Sequence, residues 1–274
     1  MMNHRRLSVS SWSLHRTLGS MNITGPQDKS NTSSPENALS LLDLPRQIAQ
    51  HGISTLEICH FHLPSTSDDY LSQLRASLEE NQVELWSLLV DGGDLNGGDR
   101  KRDFDWIANW MGVAGKLGAR NARVITGRGA LTEENLAQSI VALEGLVEVA
   151  DLSGVQLMTE NWFDTLSSPD AVHRVFAQLS GNLGLCLDFG NWDKHADKYD
   201  DLASIARYAT SCHARADFKA PSELDETDFR RCLQLTVGVD FHGPYTLIPS
   251  GSVGDEWAAL EIAANVAREF CEER

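Results

Sequence analysis

Val155-Gln156-Leu157-Met158-Thr159-Glu160 and Leu183-Gly184-Leu185-Cys186-Leu187-Asp188 are two short apolar runs, and each ends on a carboxylate. Between them, Pro169–Leu179 places apolar residues at helical spacing. A strand, a helix and a second strand in that order predict a parallel βαβ unit. Side chains alternate along a strand, so the aliphatic set Val155, Leu157, Leu183, Leu185 and Leu187 suits one face. Met158, Glu160, Gly184, Cys186 and Asp188 then share the other, with the two acids at the C-terminal strand ends.

The same alternation continues outward in both directions. Strands are predicted over Leu7–Ser13, Ser54–Cys59, Val83–Val90 and Arg123–Thr126 on the N-terminal side, and over Ser211–Arg215 and Tyr245–Ile248 on the C-terminal side. Helices are predicted over Ala38–His51, Asp68–Glu80, Phe104–Leu117, Thr132–Val149, Leu202–Tyr208, Asp228–Gln234 and Glu256–Phe270. Gly19–Glu36, rich in Ser, Thr, Asn, Gly and Pro, reads as a long loop. Eight strand–helix alternations without an internal break predict a closed (β/α)8 TIM barrel of the α/β class, one domain over residues 1–274. An open doubly wound sheet usually opens on a glycine-rich first turn, which is absent.

Composition narrows the function. The chain of 274 residues is 42% hydrophobic and carries 39 acidic against 23 basic side chains, a net charge of −16. That charge repels a polyanion, so nucleic acid is not an expected partner. No apolar run approaches membrane-spanning length, and Leu7–Leu18 is too interrupted for a secretory signal. Cys59, Cys186, Cys212, Cys232 and Cys271 form no CxxC pair, which fits free thiols in a reducing cytoplasm. There is no glycine-rich phosphate loop and no Gly-x-Ser-x-Gly elbow.

In the seventh strand His213 and Arg215 share a face. Glu160, Asp188 and His213 therefore converge on the upper barrel interior from three consecutive strands, where barrel active sites lie. Oxygen and imidazole donors of this kind suit Mn²⁺, Mg²⁺, Co²⁺ or Zn²⁺. Trp12, His15 and Trp162 are candidates to flank a sugar ring, and Arg128, Arg215 and Lys219 are candidate anion contacts, Arg215 first among them. For Arg215, an ion pair with Asp188 or Asp217 is the competing structural role.

Met158-Thr159-Glu160-Asn161-Trp162 resembles the Glu-Asn strand end of xylose-isomerase-like TIM barrels, the superfamily of sugar and sugar-phosphate isomerases and epimerases. Asp188-Phe189-Gly190-Asn191 looks like its Asp-x-Gly-Asn motif, and Ser211-Cys212-His213-Ala214-Arg215 is similar to its histidine strand. Ser13-Leu14-His15 and Leu56-Glu57-Ile58 match its first two strands. The resemblance implies a divalent metal on Glu160, Asp188 and His213, with Glu160 and His213 catalytic, and an enediolate formed from a sugar, polyol or sugar-derived keto acid. Barrels of this resemblance often dimerise or tetramerise, so a homo-oligomer is a further expectation.

The fourth, strand-eight acid of the family falls on or beside Ile248, so a mechanism with two opposed glutamate bases loses one of them. Glu57, His60, His62 or Asp91 are candidate replacements, and His60-Phe61-His62, if extended, places both imidazoles on one side. Two other readings remain: a non-catalytic sugar-binding barrel with a degenerate metal site, and a metal-dependent phosphodiesterase of the abasic-site endonuclease type.

Overall fold

A computed structural model describes residues 4–19, 25–27, 38–179 and 181–272. Most of the long loop expected over Gly19–Glu36 lies outside the described residues. The strands are β1 (Arg6–Ser10), β2 (Thr55–Cys59), β3 (Glu84–Val90), β4 (Asn121–Val124), β5 (Gln156–Glu160), β6 (Leu183–Asp188), β7 (Ala209–Ala220), β8 (Glu223–Leu224) and β9 (Pro244–Gly251). The helices are α1 (His15–Leu18), α2 (Leu44–Gln50), α3 (Asp68–Glu80), α4 (Arg100–Leu117), α5 (Glu133–Leu152), α6 (Pro169–Gln178), α7 (Lys198–Ile205), α8 (Glu226–Val237) and α9 (Glu256–Ala267).

Strands β1 to β7 pair in chain order, all parallel, and β9 closes the ring between β7 and β1. The result is a (β/α)8 barrel, with β8 a two-residue antiparallel flap on β7. Closure has a close-approach requirement at Gly243. A Cβ there would lie 1.9 Å from the Thr210 carbonyl oxygen, so only glycine lets β9 enter beside β7.

Helix starts follow local capping chemistry. Ser67, Asp99, Thr132, Ser168, Asp225 and Asp255 each accept a hydrogen bond from a backbone N–H of the helix that follows. One face of each long helix then packs on the barrel, as Leu71, Leu74 and Leu78 do in α3.

Several boundaries differ from the sequence reading for identifiable reasons. The first strand stops at Ser10, whose hydroxyl accepts from Trp12 N and turns Ser11–Leu14 into a 3-10 helix. The helix expected from Ala38 begins only at Leu44, with Pro45 in its first turn. The fourth strand spans Asn121–Val124 rather than Arg123–Thr126, so Arg123 lies inside the strand. β7 and β9 outrun their predicted ends because they pair with each other from Cys212↔Tyr245 to Phe218↔Gly251, past the barrel rim. Exposed Asp217 and Lys219 sit on that extension, so an apolar run does not mark it.

Replacing Gly243 by Ala is expected to destabilise the protein by about 1–3 kcal/mol, because a backbone carbonyl cannot yield as a side-chain tip does. Urea unfolding measures this, and an unchanged midpoint would show that β9 does not need the close approach.

Candidate active site

Glu160, Asp188 and His213 meet at the C-terminal mouth of the barrel. His213 Nδ1 lies 3.5 Å from Glu160 Oε2 and 3.7 Å from Asp188 Oδ2. Each of the three also has its other polar atom tied down. Glu160 Oε1 accepts from Asn191 Nδ2 at 2.7 Å. Asp188 Oδ1 accepts from the backbone N–H groups of Gly190 and Asn191 at 2.7 and 2.8 Å. His213 Nε2 is 3.0 Å from Glu57 Oε2. One atom of Glu160 and one of Asp188 are thereby turned toward His213 Nδ1, each carboxylate oriented by an outer hydrogen bond. The ligand atoms that lie mutually within 4.8 Å are those of Glu160, Cys186 and His213.

These atoms fit a divalent cation. Ligands held about 2.0–2.2 Å from one ion sit roughly 3 to 3.6 Å apart, close to the two separations from His213. Glu160 Oε2 is buried and accepts no hydrogen bond, as an unfilled ligand atom would be. Cys186 lies close enough to Glu160 and His213 to join them. Burial pushes its thiol up to about 11, so at neutral pH it is a weak ligand unless a cation displaces the proton. Burial by itself opposes charging His213. The acidic groups around it, Cys186, Glu160 and Asp188, outweigh that and hold the imidazole well above the ordinary histidine range.

A second cation is built into the wall. Arg123, 2% exposed, pairs through Nη1 with Asp91 and places Nε 3.2 Å from Glu160 Oε2. Its guanidinium also lies 5.5 Å from the Trp162 ring centre. The Glu160 contact is an ion pair without an aligned hydrogen bond. The cavity these groups enclose holds about 260 Å³ and is lined also by Trp12, Phe61, Trp162, Arg215 and Ile248.

The other sequence candidates divide into two groups. Trp12, Asp91, Trp162 and Arg215 line the cavity. His15 does not: it stacks on Trp12 and turns Nδ1 toward Trp12 O and Glu256. Glu57 is fully buried behind His213 and serves it rather than the cavity. Asn161 clasps the Asp188 backbone, donating to its carbonyl at 3.0 Å and accepting from its N–H at 2.8 Å.

His60 and His62 do not form a metal-binding pair. Residues 60–62 are a 3-10 helix, not an extended strand, so the rings diverge. His60 Nδ1 faces Leu89 O and Asp91 N, while His62 Nδ1 is 2.8 Å from Ser11 Oγ. Asp91 directs Oδ1 to Arg123. Arg128 hydrogen-bonds the Asp91 carbonyl, and Lys219 pairs with Asp225.

Residues 45–246 match the sequence pattern of the xylose isomerase-like TIM barrel, with the three converging residues inside the matched span. The chain belongs to that family. No curated protein sequence matches it. Among solved structures of this barrel family it is similar to an L-ribulose 3-epimerase, at 17% identity and TM-score 0.69, over 97% of this chain and 94% of that one. It is similar to the D-psicose 3-epimerase of Clostridium cellulolyticum H10, at 16% identity and TM-score 0.66, over 85% and 93%. A xylose isomerase-like TIM barrel protein from Mycobacterium smegmatis, solved in complex with magnesium, matches at 15% identity and TM-score 0.64, over 97% and 96%.

Within this xylose isomerase-like barrel, two contributors escaped the sequence reading. Arg123 was legible as a charge inside a strand whose other residues are buried, once the strand is started at Asn121. Asn191 was visible in the Asp-Phe-Gly-Asn motif, but its contact with Glu160 spans 31 residues and two strands.

Two expectations follow. Arg123→Met leaves two buried carboxylates without their cation and is expected to cost about 3–5 kcal/mol in urea unfolding. A loss under 1 kcal/mol would mean that the pairing contributes little. For His62, burial lowers the pKa from the ordinary 6.5 to about 4. Between those values the unfolded chain binds the proton and the folded one does not, so stability falls as pH drops through the window. Wild type is expected to lose about 2 kcal/mol more than His62→Gln between pH 7.5 and pH 5. Parallel pH curves for the two proteins would contradict the assignment.

Proposed function

We propose that this barrel is a divalent-cation-dependent enzyme of the sugar isomerase and epimerase type, acting on a small sugar, polyol or sugar-derived keto acid through one carboxylate base. The observation that carries the reading is His213 Nδ1 set 3.5 Å from Glu160 Oε2 and 3.7 Å from Asp188 Oδ2 in a cavity of about 260 Å³. That volume lies just below the roughly 300–1,000 Å³ of drug-sized pockets and suits a monosaccharide. The sugar epimerases among the structural neighbours support the same substrate class.

Glu160, Asp188 and His213 would hold the cation, which when bound supplies Lewis-acid polarisation of a carbonyl oxygen. The protein does the rest. Asn191 fixes the Glu160 carboxylate, which takes the proton from the carbon next to the carbonyl and returns it. Arg123, with Nε 3.2 Å from Glu160 Oε2, holds that carboxylate in place from the wall. Trp12 and Trp162 supply apolar walls for the ring carbons.

Ile248 lines the cavity where the family resemblance expects a second acid. Inverting a carbon with two opposed bases needs a carboxylate on each face of the substrate. A single base instead fits proton transfer between neighbouring carbons, or elimination of a β-hydroxyl, on one face. The same feature favours a second reading, a binding barrel without turnover. The net charge of −16 argues against the phosphodiesterase reading, whose substrate is a polyanion.

The test is deuterium wash-in. Magnesium-loaded protein incubated in D2O with a panel of ketoses and keto acids should exchange the hydrogen next to the carbonyl of one of them. Glu160→Gln should slow that exchange by about 10²–10⁴-fold with the circular dichroism spectrum unchanged. Persistent exchange in the variant removes Glu160 as base. Exchange with no panel member, together with no stoichiometric metal after loading, supports the binding barrel.

A further inference from the structure

We infer that Arg215 is an anion clamp and that the molecule taken into the cavity carries a carboxylate; this rests on the reading of that cavity as a sugar site. Arg215 follows His213 by two residues on β7, faces the same cavity, and has neither a hydrogen bond nor an ion pair among the described residues. Its Nε is buried without a partner. Other inward or part-buried cations are satisfied: Arg6 by Glu84, Arg123 by Asp91 and Glu160, Lys198 by Asp193 and Asp228. In a chain with 39 acidic and 23 basic side chains, a guanidinium in the site that forms no ion pair, and that Asp188 senses only through space, is a position held open.

The nearby acids are engaged elsewhere. Asp188 spends Oδ1 on two backbone N–H groups and turns Oδ2 to His213, while Asp217 accepts from Ser250 beyond the rim. Neither forms the ion pair with Arg215 that the sequence left open.

Two further features commit the guanidinium to this place. A Cβ on Gly190 would lie 1.9 Å from Arg215 Cδ, so the side chain runs directly over the Gly190 backbone. Across the strand pair, Arg215 is the register partner of Ile248. An acid at 248 would neutralise Arg215 from the adjacent strand. The missing acid and the free cation are therefore one local feature, and the substrate supplies the negative charge that residue 248 does not.

The clamp favours a carboxylate over a phosphate. One planar guanidinium matches a carboxylate fork. Phosphate is typically held by a nest of backbone N–H groups or a helix N-terminus. The Gly190 and Asn191 N–H groups that would form such a nest are already taken by Asp188.

The test is isothermal titration with three probes that differ only at C6: D-fructose, D-fructuronate and D-fructose 6-phosphate, each added to the magnesium-loaded protein. Wild type is expected to bind fructuronate about tenfold or more tightly than fructose. Arg215→Met should erase that preference and leave fructose binding within about twofold, and Arg215→Lys should restore part of it. Ile248→Glu, which gives Arg215 a partner on the neighbouring strand, should erase the preference independently, with thermal unfolding of every variant confirming a folded chain.

Equal binding of fructose and fructuronate overturns the inference. So does a stronger preference for the phosphate, equal losses of all probes in Arg215→Met, or binding of none in protein that holds magnesium. The outcome is separable from the reaction. A protein that prefers fructuronate but washes in no deuterium keeps the clamp and loses the proposed chemistry, and the converse result loses the clamp alone.

Discussion

Glu57, Asp91, Glu160 and Asp188 are drawn to one end of a barrel whose walls are otherwise aliphatic and aromatic, and all four lie largely out of water. Carboxylates in such surroundings either bind protons or find cations and N–H donors. Here they find Arg123, His213, Asn191 and the backbone amides that follow Asp188. Much of the mouth's arrangement is a consequence of this requirement. The strand ends must hold a register that brings β4 against β3 and β5, sets β7 beside β6 and leaves His213 facing Glu57 of β2 across the barrel interior, or the charges are stranded.

The way each acid is satisfied also decides what remains available. Hydrogen bonds consume one atom of each converging residue and leave the other directed inward, so the site is preorganised and does not depend on mobile side chains. Asp91 Oδ1 pairs with Arg123, and Glu57 supports His213 from behind. In the function proposed here the base is accordingly Glu160. With Ile248 on β9, beside β7, the cavity has an acidic side and an apolar side, and Arg215 sits where they meet. That asymmetry separates this barrel from one built around two opposed carboxylates, although the backbone follows epimerase structures over most of its length.

Much of the architecture was readable before any coordinates. The two carboxylate-tipped runs around residues 155–188 gave strand limits within a residue, and Asp68–Glu80 is a helix as its caps and spacing predict. Periodicity failed where its physical basis did. The rim extension of β7 is exposed on one side, and Ser10 diverts the first strand through a single side-chain cap. An extended His60-Phe61-His62 would place both imidazoles on one side, and whether the segment is extended is not legible locally; it is a 3-10 turn that sends them to different partners.

The sequence by itself determined the alternation of strands and helices, the inward parity of Glu160, Asp188, His213 and Arg215, and the absence of an acid at Ile248. These follow from the two-residue period of a strand and the 3.6-residue period of a helix, which are local rules. Only the tertiary structure decided which charges meet. Arg123 is 32 residues from Asp91 and His213 is 156 from Glu57, and no local periodicity links positions so far apart. Barrel closure and strand register bring them together, and the cost of leaving a buried charge unpaired makes that meeting specific.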